Sequence, residues 1–380
     1  MTAGIVRERA AQLVDAGRFD AALRLLAAQP DDGPAWAAFR QGVAALRRHD
    51  AFAAVAAFET VAALDPAFPA QREALVSAYR RDARYADAIA LAEASPPTRQ
   101  IRYERAMALA ALGETAAALT GFDSILADDP DHAVSWFASH AAALDLHGLA
   151  AARQRLARAT ACAGANGRYW AFPVANGQLT GDEVAAMEAR HVAPFPARRA
   201  LVEGVRALMA WLGSAPRLFG LSAATLDHAL AQADVPGLVL EFGVRRGTSL
   251  ARLAQGAGQV VHGFDSFQGL PQDWGAGPAG ALTTGRSLPA VAANVRLHPG
   301  WFADTLPAFL AAEAGPVRLV NIDSDVYSSA RLVLFALAPW LRPGSVIVFD
   351  EMIGNRTWAE DEFKACLLYT SPSPRDMVDY

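Results

Sequence analysis

The sequence predicts an α-helical repeat array followed by an α/β domain with a mostly parallel sheet. Residues 1–165 are rich in alanine, leucine and arginine, and the second half alternates apolar strands with helices. The length of 380 residues suggests at least two domains, since single cores rarely grow beyond about 250–300 residues. We divide the chain into helical repeats (1–165), a helical connector (166–235), the α/β domain (236–365) and an atypical tail (366–380) that we expect to be foreign to the fold.

Composition narrows the class of protein. Hydrophobic residues make up 53% of the chain, charged residues make up 19%, and the formal net charge is −5. This charge argues against a nucleic-acid partner, which needs a basic surface. No apolar run approaches the roughly 20 residues that span a bilayer, so we expect no membrane partner. Cys162 and Cys366 lack metal-type spacing, and the simplest interpretation is a reducing, cytoplasmic compartment.

Prolines follow similar predicted helical segments in the first half of the chain. They are spaced by 36, 30 and 34 residues, at Pro30, Pro66, Pro96 and Pro130. A period near 34 residues is typical of tetratricopeptide helix pairs, and this half resembles a tetratricopeptide-like array of four or five degenerate units. The turns between paired helices would fall at 17–19, 83–85 and 112–114. The array either presents a concave surface to a protein partner, or only stabilises or dimerises the chain; the sequence leaves both open.

The connector and the second half give a series of shorter elements. In the connector, which contains Pro173 and Asn176-Gly177, we predict helices at 181–190, 197–212 and 222–233. Beyond it we predict strands at 238–242, 259–264, 294–298, 317–322 and 345–349. The intervening helices lie at 248–255, 304–313 and 328–341, and a long loop spans 265–290. Such alternation indicates a parallel sheet covered on both faces, whose ligands bind beyond the carboxyl ends of the strands.

The ends of the first two strands indicate a nucleoside site. The turn after the first strand contains Glu241, Gly243 and Gly247 in the pattern E-x-G-x-x-x-G. The pyrophosphate pattern G-x-G-x-x-G is absent, which favours S-adenosylmethionine over NAD. Asp265 ends the second strand, 24 residues after Glu241, where an acidic residue binds ribose hydroxyls. The alternatives are an ordinary tight turn and a helix N-cap at Asp265.

Aromatic residues and a helix cap follow the third strand. Trp301 and Phe302 either flank an adenine ring or pack in the core. Asp304 is expected to cap the helix that follows.

Carboxylates follow the fourth and fifth strands. Asp323 and Asp325 come after the fourth strand, and Asp350 and Glu351 come after the fifth. Four charges of one sign at neighbouring strand ends are costly, and a hard divalent cation such as Mg²⁺ would compensate them. The alternative is that Asp325 caps the helix near Tyr327 and that Asp350 and Glu351 are loop charges.

Five motifs in this order resemble the macrocin O-methyltransferase family, over roughly residues 215–365. They are Glu241-Phe242-Gly243-Val244, Gly263-Phe264-Asp265-Ser266-Phe267-Gln268-Gly269-Leu270-Pro271, Gly300-Trp301-Phe302, Ile322-Asp323-Ser324-Asp325 with Tyr327-Ser328-Ser329, and Val346-Ile347-Val348-Phe349-Asp350-Glu351. Members are class I enzymes that use S-adenosylmethionine and Mg²⁺ to methylate hydroxyls, notably on sugars of antibiotics. The resemblance implies a Rossmann-like methyltransferase domain acting on a sugar, small-molecule or glycan hydroxyl.

The resemblance also implies residue roles. The cofactor pocket would contain Glu241, Gly243, Gly247, Thr248, Asp265, Ser266 and Trp301, with Asp265 on the ribose and Trp301 near the adenine. Mg²⁺ would be held by Asp323, Asp350 and Glu351. Asp323 and Asp325 would be the catalytic carboxylates, with Asp325 a further ligand or the base for the acceptor hydroxyl.

Two features depart from this family. Asn321 stands where many relatives are expected to have histidine. The family would continue beyond a helix at 358–365 with two more strands, whereas the tail from Cys366 is unrelated in character. We expect a truncated frame or an adapter artefact, with an exposed sheet edge. The alternative function is therefore a protein-binding scaffold with an inactive or cofactor-sensing methyltransferase domain. An NAD-dependent oxidoreductase is the third alternative.

Overall fold

The first part of the chain is helical, as predicted. The computed structural model describes residues 3–29, 33–213, 216–275, 277–313 and 315–370. Its described residues up to 165 contain helices and turns and no strand. The helices are α1 (Ala3–Asp15), α2 (Phe19–Ala27), α3 (Pro34–Arg47), α4 (Ala51–Leu64), α5 (Gln71–Arg81), α6 (Tyr85–Glu93), α7 (Arg99–Ala111), α8 (Thr115–Asp128), α9 (Ala133–His147) and α10 (Leu149–Ala161).

The predicted turns separate consecutive helices. Segments 17–19, 83–85 and 112–114 fall at the α1–α2, α5–α6 and α7–α8 junctions. Pro66, Pro96 and Pro130 lie between helices, whereas Pro30 lies outside the described residues. The side chain of Asp50 caps α4 by accepting a hydrogen bond from the Ala53 N–H at 2.9 Å. Short connections of this kind place successive helices side by side.

Large aromatic side chains fill the space between these helices. Phe39 and Phe58 are fully buried, and their ring centroids lie 5.5 Å apart. Trp36 packs edge-on against Phe68 at 5.1 Å, and Phe122 is also fully buried. The array is therefore stabilised chiefly by side chains packed between neighbouring helices.

The connector contains one helix more than predicted. Its helices are α11 (Gly167–Thr180), α12 (Ala185–His191), α13 (Pro196–Leu208) and α14 (Ser222–Gln232). No helix was predicted around Pro173 and Asn176-Gly177, yet these residues lie inside α11. Asn166 caps α11 by accepting a hydrogen bond from the Arg168 N–H at 2.8 Å. Burial of Val174 against α13 holds α11 in place despite its internal proline.

The second half forms a five-stranded sheet in which every pairing is parallel, as predicted. Its order is β3-β2-β1-β4-β5. The strands are β1 (Leu238–Phe242), β2 (Val261–Asp265), β3 (Val295–Pro299), β4 (Val317–Ile322) and β5 (Val346–Phe349). The helices are α15 (Thr248–Ala257), α16 (Phe302–Ala312), α17 (Tyr327–Leu337) and α18 (Glu362–Thr370), with 3₁₀ turns at Ala338–Trp340 and Trp358–Glu360.

Both faces of the sheet are covered. Val239 and Leu319 point to the side of α14 and α15, whereas Leu240 and Val320 point to the side of α16, α17 and α18. This alternation follows from the period of two residues in a strand. No helix within the described residues is both long enough and apolar enough to cross a bilayer.

The end of the chain differs in detail from expectation. The predicted helix at 358–365 is a 3₁₀ turn followed by α18, which continues to Thr370. The first five residues of the predicted tail therefore extend α18, and Tyr369 contacts Phe335 of α17 with ring centroids 6.4 Å apart. Residues 371–380 of the tail lie outside the described residues.

Candidate active site

A cavity of about 780 Å³ lies beyond the carboxyl ends of the strands. This volume falls in the upper part of the range of about 300–1,000 Å³ that small-molecule sites occupy. The predicted site residues that line it are Gly243, Gly247, Thr248, Asp265, Ser266, Trp301, Asp323, Asp325 and Asp350. Glu241 and Glu351 are not among the lining residues. The cavity thus joins the predicted nucleoside end to the predicted carboxylate end.

The turn after β1 requires glycine at two positions. Gly243 has φ +99°, and a Cβ there would overlap the carbonyl oxygen of Asp323 at the end of β4. Gly247 has φ +80° and directly precedes α15, whose first turn faces the cavity. Left-handed backbone is accessible to glycine without strain. The glycine pattern therefore reflects a close approach of two strand ends and a sharp entry into a helix.

Glu241, near the end of β1, holds this turn in place through buried hydrogen bonds. Its side chain is fully buried and accepts hydrogen bonds from Ser249 Oγ at 2.9 Å and Asn321 Nδ2 at 3.3 Å. Burial raises the pKa of Glu241 to about 8, and the two hydrogen bonds only partly oppose this. Glu241 therefore ties β1 to α15 and β4 as a mostly neutral carboxyl, and Asn321 has a structural partner.

Asp265 ends β2 with both carboxylate oxygens engaged. Oδ2 accepts a hydrogen bond from the Arg245 N–H at 2.7 Å, and Oδ1 accepts one from the Phe267 N–H at 2.6 Å. Burial raises its pKa, and these backbone donors oppose the rise. A carboxylate oxygen has lone pairs for a second donor, so Asp265 retains acceptors facing the cavity. Beside it, Ser266 Oγ accepts a hydrogen bond from the Gln268 N–H at 3.1 Å.

Three aspartates meet at the ends of β4 and β5, which are paired neighbours. Burial and then Asp350 raise the pKa of Asp323 well above its usual value. Burial, followed by Glu351 and Asp350, raises the pKa of Asp325 to about 7. Burial also raises the pKa of Asp350. Burial and these like charges disfavour the ionised forms, so protonation or a nearby positive charge would be favourable at this end of the cavity.

The backbone at Asp325 is also unusual. It has φ +62°, a strained conformation for aspartate that concentrates at functional sites. Helix α17 begins at Tyr327 after an N-cap at Val326, so the alternative interpretation of Asp325 as a helix cap was wrong.

Two glutamates near these aspartates, Glu351 and Glu362, have hydrogen-bond partners within the protein. The Glu351 carboxylate lies 3.4 Å from Asn355 Nδ2. Glu362, on α18, accepts hydrogen bonds from the N–H groups of Ser324 at 3.1 Å and Glu351 at 3.2 Å, and burial raises its pKa to about 8. No sequence pattern singled out Glu362, which follows two other acidic residues in a predicted helix. Within the described ranges, no group of three or more His, Cys, Asp or Glu is arranged to hold a metal ion.

Of the aromatic pair after β3, Trp301 lies at the cavity wall, whereas Phe302 lies both there and against the core. Trp301 lines the cavity and is 37% exposed, whereas Phe302 also packs edge-on against Phe242 at 5.2 Å. Helix α16 begins at Phe302 with Trp301 as its N-cap. The capping role expected for Asp304 was therefore wrong, because this residue lies inside the first turn.

The helical array supplies another wall of the same cavity, which the sequence did not predict. Tyr85 at the start of α6, Met107 in α7 and Leu112 after α7 all line it. Burial raises the pKa of Tyr85, and the charges of Asp323 and Asp350 contribute to the rise. Sequence periodicity reports which helix faces are apolar, but it does not report which distant domain they cover.

Comparison with known proteins agrees with this geometry. A family model described as a methyltransferase domain matches residues 240–352. Residues 240–352 form a methyltransferase-like α/β domain. This stretch contains the glycine turn after β1, the aspartates after β2 and β4, and the carboxylates after β5.

Two curated relatives are O-methyltransferases by name. The 8-demethyl-8-(2,3-dimethoxy-alpha-L-rhamnosyl)-tetracenomycin-C 4'-O-methyltransferase of Streptomyces olivaceus is 32% identical over 31% of this chain and 53% of its own length. The demethyldecarbamoylnovobiocin O-methyltransferase of Streptomyces niveus is 31% identical over 35% of this chain and 60% of its own. This chain thus spans about half to three-fifths of the length of these relatives.

Solved structures of a calicheamicin methyltransferase are also similar. One is 24% identical, with a TM-score of 0.34, over 52% of this chain and 82% of the other. Its apo form, a TDP-rhamnose 3'-O-methyltransferase, has the same identity and coverage with a TM-score of 0.30.

Proposed function

We propose that this protein is an S-adenosylmethionine-dependent and Mg²⁺-dependent O-methyltransferase of the macrocin type, which acts on a hydroxyl of a sugar or other small-molecule or glycan acceptor. One observation carries the proposal. A single cavity contains the glycine turn and Asp265 at one end and three aspartates at the other. Methyl transfer to a hydroxyl needs this juxtaposition, because a nucleoside-bound methyl donor must meet an acceptor oxygen that is losing its proton.

The residues fit S-adenosylmethionine, which supplies an electrophilic methyl group when bound. Gly243 and Gly247 allow the tight turn that lines the cavity, and the N–H groups at the start of α15, near Thr248, suit the carboxylate of the methionine portion. The remaining lone pairs of Asp265 would accept hydrogen bonds from the ribose hydroxyls. Trp301 has an exposed ring at the cavity wall for the adenine. Glu241 would act by holding the turn.

The residues also fit Mg²⁺ in their chemistry. Asp323 and Asp350 line the cavity, and burial followed by the charge of Asp350 raises the pKa of Asp323, a cost that a cation would relieve. Mg²⁺ commonly uses one or two carboxylates and fills its remaining positions with water and substrate oxygens. We propose Asp323 and Asp350 as its ligands, with Glu351 as a third after its side chain leaves Asn355. When bound, the ion would orient the acceptor hydroxyl and lower its pKa.

Asp325 is the proposed base. Bound S-adenosylmethionine would supply the methyl group and leave as S-adenosylhomocysteine, and a carboxylate oxygen of Asp325 would accept the proton that the acceptor hydroxyl loses. Burial, followed by Glu351 and Asp350, raises the pKa of Asp325 to about 7 in the metal-free protein; bound Mg²⁺ would offset these two charges and lower that pKa, so that Asp325 would be ionised and able to accept a proton. Asp323, beside it, would hold the oxygen in line with the methyl carbon.

The names of the two Streptomyces relatives support a sugar or sugar-bearing acceptor. For the rest of the chain, we propose tetratricopeptide-like helix pairs in residues 1–165, the connector at 166–235, the methyltransferase domain at 236–365 and a tail at 366–380. Cys162 and Cys366 are both free thiols, which supports a cytoplasmic location.

The proposal is tested by calorimetric titration with S-adenosylhomocysteine, with Mg²⁺ and with EDTA. We expect one-to-one binding; its absence under both conditions would refute the cofactor assignment. A panel of rhamnosides and other glycosides is then incubated with S-adenosylmethionine and examined by mass spectrometry for one added methyl group. Asp350→Asn should abolish that product and retain S-adenosylhomocysteine binding. Full turnover in this variant, or in EDTA, would refute the metal assignment.

A further inference from the structure

Residues of the helical array form ion pairs and hydrogen bonds with the turn that shapes the proposed cofactor site. Asp82, in the α5–α6 turn, is 1% exposed and forms ion pairs with both Arg245 and Arg246 of the turn after β1. The Arg245–Asp82 pair measures 3.5 Å, and the Arg246 pair is closer. Arg245 Nη2 also donates a hydrogen bond to the Arg81 carbonyl at 3.2 Å, and Arg246 Nε donates one to the Asp82 carbonyl at 3.4 Å. The side chains of two consecutive arginines in the turn thus both contact one short segment of the array, Arg81 and Asp82.

The same turn is fixed from its other side by the proposed ribose-binding residue. Arg245 has φ +48°, and its N–H donates a hydrogen bond to Asp265 Oδ2 at 2.7 Å. A strained residue persists only where its surroundings hold it. Here Asp82 holds the side chain of Arg245 and Asp265 holds its main chain. The conformation of the turn between Gly243 and Gly247 therefore depends on both contacts.

The burial of Asp82 makes this dependence strong. A buried carboxylate is tolerated when it is paired, and removing one member of a buried pair leaves the other charge uncompensated. Arg245 and Arg246 come from a different part of the chain, so Asp82 is paired only while the array is docked. Other contacts also dock the array: Asp145 accepts hydrogen bonds from the N–H groups of Gly220 at 2.7 Å and Leu221 at 3.0 Å. These contacts do not include the turn after β1.

We infer that Asp82 is a positioning residue for the nucleoside cofactor, which holds the turn after β1 through Arg245 and Arg246 and so couples cofactor binding to docking of the helical array. The inference rests on the proposed function. It gives the array a role in the cofactor site, apart from any protein partner. Because coupling is reciprocal, a bound nucleoside should in turn stabilise the docked array.

The test is calorimetric titration of the full chain with S-adenosylhomocysteine. Asp82→Asn should weaken binding roughly 10–100-fold, the effect typical of losing a partner that orients a binding group. Asp82→Glu, which retains the charge, should recover part of the affinity. Asp87→Asn is the matched control, because Asp87 lies on the same side of the array, is half-exposed and pairs with Arg84. It removes the same charge without touching the turn, and it should bind as the unchanged protein does.

Two outcomes separate this inference from the proposed function. Failure of the unchanged protein to bind S-adenosylhomocysteine would overturn both. Equal affinity of the unchanged protein and Asp82→Asn would overturn only the positioning role. Reversible unfolding would also lower the apparent affinity, so far-UV circular dichroism must show that Asp82→Asn is as fully folded as the unchanged protein before their affinities are compared.

Hydrogen exchange provides a second measurement. S-adenosylhomocysteine should slow exchange in the α5–α6 turn of the unchanged protein, and this protection should disappear in Asp82→Asn. Unchanged exchange in that turn on saturation of the unchanged protein would contradict the coupling.

Discussion

Replacing Glu241 with glutamine should make the protein more stable than the unchanged protein, and this advantage should grow as the pH rises. The buried Glu241 carboxyl has a pKa of about 8, against 4.5 for an ordinary glutamate. Between these values the folded chain keeps a proton that the unfolded chain has released, so the stability contributed at this position falls as pH rises from about 4.5 to 8. At about 1.4 kcal/mol per pKa unit, the full penalty is at most roughly 5 kcal/mol above pH 8. Glutamine has no such penalty, and its amide can accept from Asn321 and donate to Ser249.

Urea unfolding of the unchanged protein and Glu241→Gln, at pH 5 and pH 8 in EDTA, measures this effect. We expect similar stabilities at pH 5 and an advantage of about 2–4 kcal/mol for the variant at pH 8. Glu360→Gln is the control, because Glu360 is exposed and its replacement should give no such pH dependence. An advantage of Glu241→Gln that is the same at both pH values would refute the reasoning.

Three further predictions follow from particular contacts. Gly243→Ala should cost more than about 4 kcal/mol in chemical unfolding and abolish S-adenosylhomocysteine binding, whereas Gly258→Ala, at φ +65° with open space around it, should cost about 1–2 kcal/mol. Equal losses would contradict the assigned overlap with Asp323. Asp265→Asn should weaken S-adenosylhomocysteine binding about tenfold by titration, since an amide nitrogen would face a backbone N–H; unchanged affinity would remove Asp265 from the site. Phe58→Ala should destabilise the array by about 3–5 kcal/mol in thermal unfolding, and the exposed Leu64→Ala on the same helix much less.

The elements that the sequence predicted are those with a strong local pattern. The five strands are short apolar runs bounded by polar residues, and each lies within a few residues of its predicted bounds. The parallel sheet followed from their alternation with helices. Helix α11 was missed because Pro173 and Asn176-Gly177 are ordinarily turn signals, and packing against α13 outweighs them here. Local propensity is a weak prior where tertiary burial is extensive.

The site could be predicted only where the topology itself brings residues together. Gly243, Asp265, Asp323 and Asp350 were found because all follow strands of one parallel sheet and therefore meet at one edge. Asp82 and Tyr85 come from the helical array, and no spacing in the sequence connects them to this edge. Glu362 was missed for a related reason, since its acceptor role depends on where α18 returns to the sheet. Long-range packing, rather than motif spacing, determines these three positions.

The carboxylates at the ends of β4 and β5 destabilise the ligand-free protein, because buried charges of one sign repel each other. A last prediction follows from this destabilisation. Asp350→Asn removes one of the charges that raise the pKa values of Asp323, Asp325 and Glu351. We therefore expect this variant to unfold at a higher urea concentration than the unchanged protein at neutral pH in EDTA, and to lose that advantage in saturating Mg²⁺. Glu362→Ala should instead be destabilised, because the buried N–H groups of Ser324 and Glu351 would lose their acceptor. Destabilisation of both variants would indicate that Asp350, like Glu362, is held for the fold rather than for a ligand.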